Sequence, residues 1–270
     1  MKPLAAVLAL LALAAAPMVA RAQERPADGP PPDGGGRAGE VPGGRNSYAN
    51  PSAVIAAELA FARLAREKGQ WTAFRETAAP DAVMFADGGA PHGGVEVMVL
   101  AQPWLKTRAN PAVPLAWQPH HVWSSCDGAL VVSTGAWQRG AAQGWFTTVW
   151  QRQDKGGYKW VFDHGDVLVQ PLAAPDMIAA TVADCPAAQR RAGPPPTEAR
   201  GGRPKRAAKP AKAPPVPFDP TAREGRSPDG TLVWRVTADA SGAHAFTAQL
   251  RQDGALREIR NERVAAPPRS

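Results

Sequence analysis

From Leu115 to Asp166 apolar and polar residues alternate with period two, and turn sequences interrupt the alternation at regular intervals. Strands are therefore predicted near 115–124, 129–138, 144–152 and 158–168. Asp127-Gly128, Arg139–Gln143 and Asp154–Gly157 join them, each containing the glycine that a tight turn favours. Upstream the period is helical. Asn50-Pro51 supplies an N-cap residue and a proline at the first helical position, and Ser52–Lys68 is rich in helix formers. Ile55, Leu59 and Ala62 recur there at i, i+4 and i+7, and Gly69 stops the helix. A second short helix is predicted over Gln70–Thr77, with Trp71 and Phe74 on one face. Ala82–Phe85 is a short apolar segment closing at Asp87-Gly88-Gly89, and Gly94–Trp104 reads as a third helix limited by Pro103. Helices first and a meander afterwards give an α+β domain of about 140 residues, with a curved antiparallel sheet backed by about three helices.

A second alternating region follows. Thr231–Thr237 places Leu232, Trp234 and Val236 on one face, Ala243–Leu250 alternates again, and Asp253-Gly254 turns into Ala255–Ile259. This is a three-stranded β-meander within 219–265, too small for an independent core. It is expected to dock on the main domain through Trp234, Phe246 and Leu250. Between the two regions, 189–218 is a basic linker rich in Pro and Ala.

Charge changes the picture only once it is located. The chain carries a net +7, and 190–212 alone accounts for that value with eight basic residues and one acid, Glu198. The basicity belongs to a low-complexity tract and not to a folded face, so nucleic acid is not the expected partner. Weak contact of 190–212 with an anionic envelope is the partner that its charge allows. At the other end, Lys2, the apolar run Leu4–Ala16 and Ala20-Arg21-Ala22 form a signal peptide over 1–22, with cleavage after Ala22. A Pro/Gly-rich leader, 23–49, and the main domain, 50–188, follow. The expected location is periplasmic or secreted.

Two cysteines, Cys126 and Cys185, remain. In an oxidising compartment an even pair reads as a disulfide, worth about 4 kcal/mol in the chain-entropy model for a loop of this size. Spacing alone leaves two separate thiols open. Neither has a metal-ligand neighbour at short spacing, and no metal or cofactor is expected.

Several of these segments together resemble a known family. The helix ending at Gly69, Trp71–Phe74, Asp81-Ala82-Val83-Met84-Phe85, Gly93-Gly94 and Gly157-Tyr158-Lys159-Trp160-Val161-Phe162-Asp163 look like the nuclear transport factor 2-like superfamily. That group includes SnoaL-like cyclases, ketosteroid isomerases and many secreted bacterial members. The resemblance covers about 50–170. It implies a cone-shaped α+β domain with an apolar pocket, and frequent homodimers through the sheet. The isomerase pattern, laid on the spacing from Gly69 to Asp81-Ala82, puts the catalytic tyrosine at Ala62 and the carboxylate base at Ala86. Neither alanine can donate to an oxyanion or take a proton, so that mechanism is not expected.

Candidate chemistry lies elsewhere. Asp163 beside His164, and His120 beside His121, are acid–base candidates; Asp163 and His120 are the two singled out. Neighbours on a strand face opposite ways, so only one of each pair can face a pocket without a bulge. The expected pocket is lined by Phe85, Phe146, Trp150, Arg152 and Trp160, a wall suited to a small apolar or aromatic ligand. The sequence therefore reads as an exported, non-catalytic, small-ligand-binding or accessory protein. The alternative is a SnoaL-like cyclase or isomerase-type enzyme using a pocket Asp or His.

Overall fold

The computed structural model describes residues 49–87, 95–185 and 217–266. The signal peptide, most of the leader, the Gly88–Gly94 turn region and the basic tract 190–212 lie outside the described residues.

Helix α1 spans Pro51–Lys68 and α2 spans Gln70–Thr77. Gly69 between them has φ +91°, a conformation that glycine adopts without penalty. The start of α2 carries no cap from its own side chains. Asn110, from forty residues downstream, supplies it instead. Its Oδ1 accepts from the N–H groups of Trp71 (2.8 Å) and Thr72 (3.2 Å), and its Nδ2 donates to the Lys68 carbonyl (3.1 Å). One side chain thus satisfies orphan groups of both helices.

The buried stripe of α1 is not the expected one. Val54, Glu58, Phe61, Ala62 and Ala65 face inward, whereas Leu59 is 46% exposed. The helix is turned so that a carboxylate, Glu58, sits on its inner face.

Strands β1 (Ala78–Asp87) and β2 (Glu96–Leu100) come next, then the short helix α3 (Ala101–Lys106). The first half of the predicted third helix is therefore a strand, and only its end, from Ala101, is helical. Val97 and Val99 favour extended backbone, and Val83–Asp87 pairs antiparallel with 96–100. The meander follows as β3 (Ala116–Ser124), β4 (Leu130–Arg139), β5 (Ala142–Arg152) and β6 (Tyr158–Val167), and β7 (Ala179–Val182) ends it. The seven strands form one sheet in the order β2-β1-β6-β5-β4-β3-β7. The sheet is mixed and not purely antiparallel, because β1 runs parallel to β6 and β7 parallel to β3. Bulges at Pro119/His121 and Val149/Trp150 bend it.

A second sheet has four strands rather than three: β8 (Ala222–Arg226), β9 (Leu232–Ala238), β10 (His244–Gln252) and β11 (Ala255–Val264). Strand β8 has no apolar alternation. It pairs because Gly225 lies over the Trp234 indole, 2.4 Å from where a Cβ would stand.

The second sheet covers the outer face of β6 and β5. Phe162 stacks on Phe246 (centroids 5.3 Å, 7°) and on Trp234 (5.3 Å, 22°). Glu262 closes the polar part: it accepts from Thr147 Oγ1 (2.8 Å) and Arg260 Nε (2.6 Å), and its Oε2 lies 2.8 Å from His164 Nε2. The outer face of this part of the sheet is thus occupied by the chain's own second sheet.

Two hairpin turns clasp each other at the sheets' junction. Ser125-Cys126-Asp127-Gly128-Ala129-Leu130 and Ser227-Pro228-Asp229-Gly230-Thr231-Leu232 share the pattern Ser-x-Asp-Gly-x-Leu. In each, the serine hydroxyl donates to the aspartate Oδ1 at 2.6 Å and accepts the leucine N–H. The aspartate Oδ2 of each turn then accepts the backbone N–H of the other's aspartate: Asp127 N to Asp229 at 2.7 Å, Asp229 N to Asp127 at 3.2 Å. Cys126 N also donates to Thr231 Oγ1 at 2.9 Å. The Cys126–Cys185 disulfide (Cα–Cα 5.2 Å) anchors one of these turns to the segment after β7.

The clasp generates a coupling prediction. Asp127→Ala and Asp229→Ala should each cost about 1–3 kcal/mol in urea unfolding, since each strands donors of both turns. The double variant should fall short of the sum by about 1 kcal/mol. Additive losses would mean that the two turns are not energetically joined.

Candidate functional site

The inner face of the sheet and the two long helices enclose a cavity of about 460 Å³. Its floor is a set of edge-to-face rings. Phe61 meets Phe74 (4.8 Å), Trp117 (4.6 Å) and Trp150 (5.9 Å), and Phe74 meets Trp160 (5.7 Å). Such pairs add about 0.5–1.5 kcal/mol each beyond their buried area and fix the ring orientations.

Beneath the rings sits Glu58, fully buried. Its Oε1 accepts from Trp117 Nε1 (2.9 Å), and its Oε2 from Ser133 Oγ (2.7 Å) and Trp150 Nε1 (2.8 Å). Burial pushes its pKa up, against the three hydrogen bonds that favour the ionised form. These donors come from three different strands, so Glu58 ties α1 to β3, β4 and β5.

Asp163 faces the cavity from β6. Its Oδ2 accepts from Thr148 Oγ1 at 2.7 Å, across the β5–β6 register pair. Burial pushes its pKa up to about 7; the Thr148 hydrogen bond opposes this, and the nearby Glu58 carboxyl adds to it. At neutral pH the carboxyl therefore both donates and accepts protons readily. His164 points the opposite way, to Glu262 in the second sheet.

The other candidates are distributed differently. Phe146 and Phe85 border the cavity, but the Phe85 ring stacks on His244 at 3.6 Å and so faces the second sheet. Trp150 and Trp160 do not line it. Both indoles are turned beneath the floor, Trp150 by Glu58 and Trp160 by its Nε1 bond to the Phe74 carbonyl (3.1 Å). Arg152 lies at the far end of β5, beside Tyr158. His120, in the β3 bulge, borders a separate depression with Gln118, Gln138 and Leu172; burial lowers its pKa. No group of three His, Cys, Asp or Glu side chains among the described residues could hold a metal. No described helix is long and apolar enough to cross a membrane.

Residues that the sequence reading did not single out complete the wall. Arg139, at the end of β4, and Gln70, at the start of α2, meet at the cavity's mouth, where the Arg139 Nη2 donates to the Gln70 side-chain carbonyl. Trp71, Trp117, Trp137 and Thr148 line it as well. Strand parity held the signal for Arg139: it shares the inner face with Ser133, Gly135 and Trp137.

Glu58 gives the sharpest test of the floor. Glu58→Ala should cost at least about 3 kcal/mol in chemical denaturation, because it removes the acceptor that Trp117, Ser133 and Trp150 share and opens a cavity in the core. Glu58→Gln keeps one accepting oxygen and should cost roughly half as much. Because burial holds the Glu58 pKa above its ordinary 4.5, the wild type should lose stability relative to Glu58→Gln as the pH rises. An alanine variant within about 1 kcal/mol of wild type would contradict this arrangement.

No family model and no curated protein matches the chain. Among solved structures it is similar to a ketosteroid isomerase-like protein from Parabacteroides distasonis, with 14% identity over 46% of this chain and 97% of that one, at a TM-score of 0.34. A protein of unknown function from Pectobacterium atrosepticum shares 13% identity over 44% of this chain and 93% of its own, at a TM-score of 0.32. An NTF-2-like protein of unknown function from Burkholderia xenovorans shares 16% over 45% and 88%, at a TM-score of 0.27. Over somewhat less than half its length, the chain is thus similar to structures of the nuclear transport factor 2-like and ketosteroid isomerase-like kind.

Proposed function

We propose that the cavity binds a small, ring-bearing, mostly apolar ligand whose polar group hydrogen-bonds to Asp163. One observation carries this reading. Among the described residues the Asp163 carboxyl has one hydrogen-bond partner, Thr148, and otherwise faces an aromatic-walled cavity. A ligand hydroxyl or carbonyl beside Asp163 would supply a second partner, and the surrounding rings would take the ligand's apolar faces.

An enzymatic reading competes for one reason. A pKa of about 7 is the value at which a single carboxyl can deliver and recover a proton near neutral pH. In that reading Asp163 is the general acid–base of a cyclase or isomerase-type reaction. In either reading the protein is exported. The disulfide, and the absence of a membrane-crossing helix among the described residues, are compatible with that location. Contact of 190–212 with an anionic envelope and assembly as a homodimer stay within the proposal. A homodimer would have to avoid the face of β5 and β6 that the second sheet already covers.

Native mass spectrometry of the exported protein, purified without reduction, tests the cavity. The wild type should retain a small molecule that is released on denaturation. Ala142→Trp, at an exposed position on the rim, should lose it. A bare wild-type mass, together with no response of the tryptophan fluorescence to millimolar 2-naphthol, would contradict the proposal. If the retained molecule is turned over, Asp163→Asn should still bind it and no longer convert it.

A further inference from the structure

We infer that the ligand of this cavity is a ring-bearing carboxylate, and that Arg139 holds its anionic group at the mouth while the rings occupy the aromatic interior. The inference rests on the cavity being a binding site, as proposed above.

In β4, Ser133, Gly135, Trp137 and Arg139 alternate onto the inner face. Ser133 reaches Glu58 beneath the floor, and Arg139 lines the cavity at the other end of the same row. Its register partner is Ala142, across the β4–β5 hairpin, and Thr148 with Asp163 lies six residues further along β5. At about 3.3 Å per residue that is roughly 20 Å of strand, part of which the long arginine side chain spans by folding back to Gln70. Arg139 and Asp163 thus enter the cavity from positions well separated along the sheet.

The guanidinium is held but not neutralised. Its Nη2 donates to the carbonyl of Gln70, a buried residue that fixes the plane of the fork. Its Nε is buried and has no hydrogen-bond partner. No carboxylate among the described residues lies within ion-pair distance of Arg139. Asp166, also on the cavity wall, directs Oδ1 to the Val167 N–H at 2.7 Å. A partly buried cation with an orphaned donor is costly unless an anion completes it. The Nη edge of the planar guanidinium is a fork of charge-assisted donors that can grip a carboxylate. Trp71 and Trp137, on either side of the mouth, would lie against the ring that carries the carboxylate.

Neutral ligands gain nothing from such a fork, so charge should decide selectivity. Isothermal titration calorimetry at pH 6.5 would compare 2-naphthoate with 2-naphthamide, which has the same rings and a neutral head. Wild type should bind the naphthoate about tenfold or more tightly than the amide, the gain from a charge-assisted bidentate contact. Arg139→Met should bring the two affinities to within about twofold by lowering only that for naphthoate; Arg139→Lys should restore part of the preference, having charge without the fork. Thermal unfolding of each variant checks that it folds. Equal binding of both probes to wild type, or an unchanged preference in Arg139→Met, would overturn the carboxylate assignment and leave the cavity reading standing. Binding of neither probe would overturn both.

Discussion

Three consecutive residues of β6 set the constraint on which this structure depends. Phe162 and His164 point outward into the second sheet, and Asp163 points inward to the cavity. A strand offers its two faces alternately, so both are committed at once and the register cannot slip by a residue. Moving it by one would place Phe162 in the cavity and a carboxyl among the Phe246 and Trp234 rings. The second sheet and the candidate site are in this sense two readings of one strand. What holds the sheet from outside also aims Asp163 on the inside.

Burial explains the chemistry of both sides. On the outer face Glu262 has Thr147, His164 and Arg260 around it, and their donors hold its pKa below the usual carboxylate value despite the desolvation that would raise it. On the inner face Asp163 has one hydroxyl and a carboxyl neighbour, and its pKa rises instead. The same functional group, a carboxyl, is thus an ion in one environment and a proton donor in the other. Because the folded value lies above the unfolded one, Asp163 favours folding most at acid pH and loses that contribution as the pH rises from about 4 to about 7.

The sequence was most legible where local signals agreed. The alternation and Gly-containing turns from 115 to 168 locate β3 to β6 to within about two residues. It was least legible where tertiary packing overrode the pattern. Glu58 interrupts the apolar stripe of α1, so a search for hydrophobic spacing moved the inner face to Leu59, which is exposed. Pro80 and Asp81 disguised the start of β1, which was read only as the apolar core Ala82–Phe85. The Ser-x-Asp-Gly-x-Leu pattern is not an expectation of the sequence analysis, because its meaning lies in a contact across more than one hundred residues. Of the candidate site, Asp163 and Phe146 could be reached from strand parity. Parity also puts Arg139 on the inner face, but its importance comes from a missing partner, which only three-dimensional placement reveals.

Asp163 faces an aromatic-walled cavity in which its carboxyl carries a proton near neutrality. Carbon-13 NMR of the aspartate carboxyls, with Asp163→Asn identifying the resonance, measures this directly. A midpoint near 7 is the result that the arrangement predicts. A midpoint near the ordinary 3.8 would mean a solvated carboxyl on an open surface, and would contradict the account of the site.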